Sequence, residues 1–139
     1  MREIKFRGKP VSCIYDIWFI GDLVKELSTG RTYILDVANT DYGEAHFNQL
    51  GLEVISNTIG QFTGIHDKNG KEIYEGDIVI IGSQKGIVLW DEQGIALRLE
   101  IGDFSTSTDY LYRTIDYYGG DIVVIGNIHD SASHEGENK

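Results

Sequence analysis

Two carboxylates flank a glycine at Glu75-Gly76-Asp77, and in an extended segment they project to the same side, which is where acid–base chemistry begins. A hydrolytic pair also needs a fixed separation across a cleft. With twenty-two acidic residues in the chain, some pair of this kind arises anyway, and these two read first as a turn leading into a strand. The run Gly64–Lys71 has the glycines and lysine of a phosphate-binding loop but the wrong spacing. Five residues, not four, precede Gly70-Lys71, Glu72 stands where a hydroxyl should ligate magnesium, and no helix follows. Asp67-Lys68-Asn69-Gly70 resembles part of a calcium loop, yet its glycine comes two places early and Ile78 occupies the twelfth position. The four histidines, His46, His66, His129 and His134, lack the HxxxH or HExxH spacing of a zinc site, and a single cysteine cannot complete one. No nucleophile elbow is present. The residues therefore predict no catalytic group, no metal and no cofactor.

Aromatic residues give a different kind of site. Tyr110, Tyr112, Tyr117 and Tyr118 fall within nine residues, and Tyr74 and Trp90 precede them. Tyrosine and tryptophan bury much area at low entropic cost, so they are favoured at protein interfaces. These six are the candidate interface; the competing reading is packing in the core and rim of a small β domain.

Charge separates the ends of the chain. Residues 1–40 carry six basic and five acidic residues; residues 41–139 carry six basic and seventeen acidic, so nearly all of the net −10 lies there. Such a surface repels phosphate. Only Lys5, Arg7 and Lys9, which alternate along an N-terminal strand and so project to one side, offer a cationic stripe for nucleic acid. Its plainer reading is a solvated strand face that balances the acidic remainder. The acidic half also permits a third role, mimicry of DNA in the basic site of a DNA-processing enzyme.

The elements that would position these groups are β-strands. Seventeen glycines against one proline favour many tight turns. Residues 58–82 organise the rest: an alternating strand Ile59–Ile65, an Asn69-Gly70 hairpin turn, a short strand, the Glu75-Gly76-Asp77 corner and the β-branched run Asp77–Ile81. Lys85–Trp90 and Ile95–Ile101 then form a hairpin around Asp91-Glu92-Gln93-Gly94, and Asp121–Ile128 is a closing strand. Upstream, Glu3–Arg7, Cys13–Ile20 (with Trp18 as a core anchor) and Arg31–Val37 read as strands, with turns at Gly21-Asp22 and Ser28-Thr29-Gly30. Glu44–Leu50 suits a short helical turn and Ser105–Thr108 a polar loop; Asp109–Tyr118 allows a strand but leans to a short helix. Together these give a mainly β, β-rich α+β protein: an N-terminal β lobe over residues 1–57, an SH3-like small barrel over 58–130 and a mobile tail over 131–139.

No stretch of about 18 apolar residues is present, and no apolar signal core follows Met1. The lone Cys13 forms no internal disulfide and reads as a buried thiol. A reducing cytoplasm is expected.

Three blocks carry a family resemblance. The segment from Thr58 to Gly82, TIGQFTGIHDKNGKEIYEGDIVIIG, resembles the hallmark of the YopX family of phage and prophage proteins. The opening Met1–Lys9 resembles that family's start, and Val124–Asp130 its close. The resemblance implies a phage origin and a mostly β fold, and it supplies no catalytic residues. The expected protein is a non-enzymatic binding or assembly factor that acts by protein–protein contact and forms homo-oligomers.

Overall fold

The computed structural model describes residues 3–11, 18–35, 47–48, 51–91, 94–101 and 105–130. The chain divides into two compact units, Met1–Phe62 and Thr63–Lys139. The division falls inside a strand, five residues beyond the boundary expected at 57/58. Both units are built from antiparallel sheet.

In the first unit β1 (Phe6–Gly8) is short and lies between two partners. It pairs with β2 (Phe19–Lys25) on one side and with the start of β6 (Gly60–His66) on the other. Beyond β2 lie β3 (Thr32–Leu35), β5 (Gly51–Val54) and the two-residue β4 (Phe47–Asn48). Gly21-Asp22, expected as a turn, is instead the middle of β2. Gly21 sits opposite Phe6 and Asp22 opposite Leu35, so partners on both edges hold the segment extended. The expected helical turn near Glu44–Leu50 is replaced at 47–48 by a strand paired to β5; its other residues lie outside those described. Ser28-Thr29-Gly30 does turn the chain, with Gly30 at φ 77°. Phe19, Ile34, Leu52 and Val54 make the core, flanked by Phe6, Leu23 and Ile59.

The second unit begins within β6 and continues through β7 (Glu72–Tyr74), β8 (Asp77–Ile81), β9 (Gln84–Asp91), β10 (Gly94–Ile101), β11 (Ser105–Tyr110), the helix α1 (Leu111–Tyr117) and β12 (Ile122–Asn127). The strand order β11-β10-β9-β8-β12 is that of an open sheet. The expected SH3-like closure does not occur among the described residues: β11 and β12 are opposite ends of the sheet, and no pairing joins them. Two features account for this. Ser105–Thr108 is not a loop but a strand, paired with β10 from Ala96↔Tyr110 to Ile101↔Ser105, which extends the sheet outward. The far side of β12 is occupied by the turn at Asp67-Lys68 rather than by a strand. Val79 and Ile81, Val88, Ile95 and Leu97, and Ile122 and Val124 bury one face with Ile73 and Leu111. Alternating burial along β8 is what a sheet covered on one face requires.

Gly51 shows how tightly the first unit is drawn. It has φ 120°, and a Cβ there would stand 2.6 Å from the carbonyl oxygen of Ile34. Backbone meets backbone, so no side chain can swing aside. Gly51→Ala is expected to destabilise the protein by about 3 kcal/mol through strain and strand displacement, read as a lowered midpoint in urea unfolding with little change in slope.

Candidate functional site

Two buried carboxylates, Asp67 and Asp77, hold turns. Asp67 is buried, and its Oδ1 accepts from the backbone N–H of Asn69 and of Lys71, both at 2.9 Å. That closes the hairpin turn whose Gly70 has φ 85°. Its Oδ2 accepts from the Val124 N–H at 3.0 Å, and the Lys68 N–H donates to the Ile122 carbonyl, also at 3.0 Å. Outside these backbone bonds, Lys68 Nζ lies 3.1 Å from Asp121 Oδ1. The turn thus occupies the edge of β12 that faces away from β8. Burial alone would raise the Asp67 carboxyl pKa; the N–H donors of Val124, Lys71 and Asn69 and the charge of Lys71 outweigh it and hold the group below its ordinary value.

Asp77 does for the next corner what Asp67 does for the first. It is 1% exposed; its Oδ2 accepts from the Tyr74 N–H at 2.7 Å and its Oδ1 from Asn127 Nδ2 at 3.2 Å. Asn127 Oδ1 in turn accepts from the His129 N–H, and the Asn127 N–H donates to Asp130 Oδ2. The Asp77 carboxylate is thus committed to the Tyr74 corner and to Asn127. Among the described residues, no group of three or more His, Cys, Asp or Glu converges in a metal-holding arrangement. Cys13, His46 and His134 lie outside the described residues.

The six aromatic candidates part company. Tyr74 belongs to the core at 2% exposed, with its hydroxyl on Glu72 Oε1. Trp90 packs half-buried against the core of the second unit. Tyr118 also packs there; its ring stands 2.8 Å from where a Cβ on Gly82 would be, and its hydroxyl donates to Gln84 Oε1. The Tyr112 side chain lies outside the described set. Tyr110 and Tyr117 remain at the surface, and Tyr117 is 81% exposed.

Helical periodicity sorts them. Leu111, Thr114, Ile115 and Tyr118 recur at the spacing of one helix face and turn inward, where Thr114 Oγ1 also donates to the Tyr110 carbonyl. Tyr110, Arg113 and Tyr117 recur at three and then four residues on the outward face. The Arg113 guanidinium lies 5.6 Å from the Tyr110 ring centre, and Tyr117 meets Tyr118 edge to face at 5.0 Å. Arg113 was not among the aromatic candidates, although its place three residues after Tyr110 is visible in the sequence.

The cationic stripe is aligned as expected but is not a solvated face. Arg7 and Lys9 are only 6% and 5% exposed. The Arg7 guanidinium stands 4.3 Å and Lys9 Nζ 5.0 Å from the Trp18 ring centre. Lys5 pairs with Glu3 at 3.3 Å and sits over the Phe62 ring. Aromatic faces attract cations through their quadrupole and shelter the aliphatic stems, so the stripe folds over rings instead of meeting water.

The fold and these surfaces define a mainly β protein whose buried carboxylates Asp67 and Asp77 hold two turns and whose helix α1 carries an outward aromatic face. The YopX protein family model matches residues 21–133, and the chain belongs to that family. No curated protein matches the sequence. Protein EF1440 from Enterococcus faecalis, known from a crystal structure, is similar at 21% identity over 95% of this chain and 97% of that one, with a TM-score of 0.46. Among the described residues no helix is long and apolar enough to cross a membrane.

Asp67 sets an acid limit on stability. A carboxyl held low in the folded state contributes stability above its unfolded value, near 3.8, and that contribution is lost as pH falls through the folded value. Asp67→Asn keeps an oxygen for the turn but cannot offer Val124 a charged acceptor. Its expected cost at pH 7 is about 2 kcal/mol. Thermal melts from pH 7 to pH 3 check this: the gap between wild type and variant should narrow below pH 4.

Proposed function

We infer that the chain is a non-catalytic binding or assembly protein, encoded by phage or prophage, that works in the bacterial cytoplasm through protein–protein contact. The observation that carries this reading is the outward stripe Tyr110, Arg113 and Tyr117 on α1. At 81% exposed, Tyr117 leaves most of its ring in water beyond its edge contact with Tyr118, and Tyr and Arg are the residue types that dominate contact energies once a partner excludes water. Membership in the YopX family supports the phage setting, since the family's resemblance is to phage and prophage proteins. Direct phosphate contact through Lys5, Arg7 and Lys9 is disfavoured, because recruiting Arg7 and Lys9 would mean drawing buried cations off an aromatic ring.

The test is affinity purification from infected or lysogenic cells, with wild type beside Tyr110→Ala/Tyr117→Ala. Removing exposed rings should change stability by no more than about 0.5 kcal/mol. Loss of a stable contact worth about 2 kcal/mol would weaken binding roughly thirtyfold. A protein held by wild type and absent from the variant is the expected result. Equal retention by both would remove the stripe as the binding surface.

A further inference from the structure

The tip of the turn that Asp67 closes is exposed and chemically labile. Asn69 and Gly70 both stand in water there, and no other asparagine in the chain precedes a glycine. Asparagine is among the thermolabile residues. Its side-chain amide carbon is an electrophile, and the backbone nitrogen of the next residue can close a cyclic imide on it. A side chain on that next residue crowds the attacking nitrogen, and glycine removes the obstacle. Gly70 has φ 85°, and among the described residues nothing lies within 4 Å of where its Cβ would stand. Two other asparagines show the contrast. Asn57 is exposed but precedes the β-branched Thr58, and Asn127 is buried with its Nδ2 bonded to Asp77.

We propose that Asn69-Gly70 is a site of spontaneous covalent modification, in which Asn69 deamidates to aspartate or isoaspartate, and that the isoaspartate form loosens the corner built on Asp67. The Gly70 nitrogen gives its proton to hydroxide and attacks Asn69 Cγ. A bond forms between that nitrogen and Cγ, the Cγ–Nδ2 bond breaks, and Nδ2 leaves as ammonia after taking a proton from water. A second water then opens the imide. Attack at Cγ gives aspartate; attack at the backbone carbonyl gives isoaspartate and frees the α-carboxylate. Nothing is oxidised or reduced. In the closed turn the Gly70 N–H donates to the Asp67 carbonyl at 3.0 Å, so the reaction proceeds from the opened turn. Exposed hairpin tips open at low free energy.

Isoaspartate routes the backbone through its side chain and adds a methylene between the Cα of residue 69 and the Gly70 nitrogen. Asp67 Oδ1 gathers the N–H groups of Asn69 and Lys71, both at 2.9 Å. With a longer path between them, one oxygen no longer holds both. The freed carboxylate also sets a second negative charge beside Asp67. Because Asp67 Oδ2 accepts from the Val124 N–H at 3.0 Å, a weakened turn is felt at the edge of β12. The corner therefore loosens as the chain ages.

The experiment ages the full chain at mildly alkaline pH beside Asn69→Gln, whose longer side chain closes the ring far more slowly. Peptide mass spectrometry should show Asn69 exchanging its amide for oxygen at least about tenfold faster than Asn57. An isoaspartyl methyltransferase supplied with S-adenosylmethionine should label the peptide around position 69 in aged wild type and not in aged Asn69→Gln. Hydrogen exchange at the Val124 amide should be at least about tenfold faster in aged than in fresh wild type, and independent of age in Asn69→Gln. Wild type unfolded in urea gives the unrestrained rate. A folded chain that keeps Asn69 intact after the unfolded chain has converted, or an Asn57 that converts as fast, would overturn the site. Val124 exchange that is the same in modified and fresh chains would overturn the loosening.

Discussion

Asp67 accepts three backbone N–H bonds while buried, and the second unit depends on that arrangement. Two of the bonds fold the hairpin back at Asn69-Gly70; the third reaches fifty-seven residues along the chain to Val124. A charge in such a place is tolerable only because every donor around it points inward. The same carboxylate therefore sets a turn, fixes where β12 lies and seals the outer side of that strand. Asp77 repeats the device one corner later through Tyr74 and Asn127. With both corners pinned to β12, the apolar residues of β8, β9, β10 and β12 meet on one face without the sheet having to close on itself.

Local chemistry was legible wherever a residue type answers to its own neighbours. Asn69-Gly70 announces a turn because glycine accepts positive φ, and Gly76, at φ 94°, marks the corner before Asp77. The strands of the meander come from alternation, and α1 from the spacing of Leu111 and Ile115. The residues alone did not reveal contacts set by distant partners. Ser105–Thr108 has the polarity of a loop, and only pairing with β10 makes it a strand. Gly21-Asp22 has the composition of a turn, yet β1 and β3 on either side keep it extended. The barrel failed for the same reason, since nothing in Asp67-Lys68 shows that its backbone partners are Val124 and Ile122.

Lys5, Arg7 and Lys9 illustrate the gap between direction and environment. A period of two fixes that they share a side of the strand. It does not fix what covers that side, and here Trp18 and Phe62 lie against the cations. The first unit thus keeps Lys5, Arg7 and Lys9 close to aromatic faces, while most of the chain's acidic residues stand in the second. A charge count taken along the chain overstates how much cationic surface is on offer.

The helix α1 gives the clearest separation of structural from non-structural residues. Its inward stripe, Leu111, Thr114, Ile115 and Tyr118, meets the core, so those positions explain why a seven-residue helix forms without any side-chain cap. A helix that short is marginal in water by itself, and packing of its apolar face supplies what propensity does not. Tyr110, Arg113 and Tyr117 take the opposite face, where the Arg113 guanidinium lies over the Tyr110 ring and Tyr117 meets the inward Tyr118 edge to face. β11, which precedes the helix, is set by its pairing with β10 from Ala96↔Tyr110 to Ile101↔Ser105. Strand and helix adjoin at Tyr110, where β11 ends and α1 begins: its backbone pairs with Ala96 and its carbonyl accepts from Thr114, so one residue ties the sheet to the first turn of the helix.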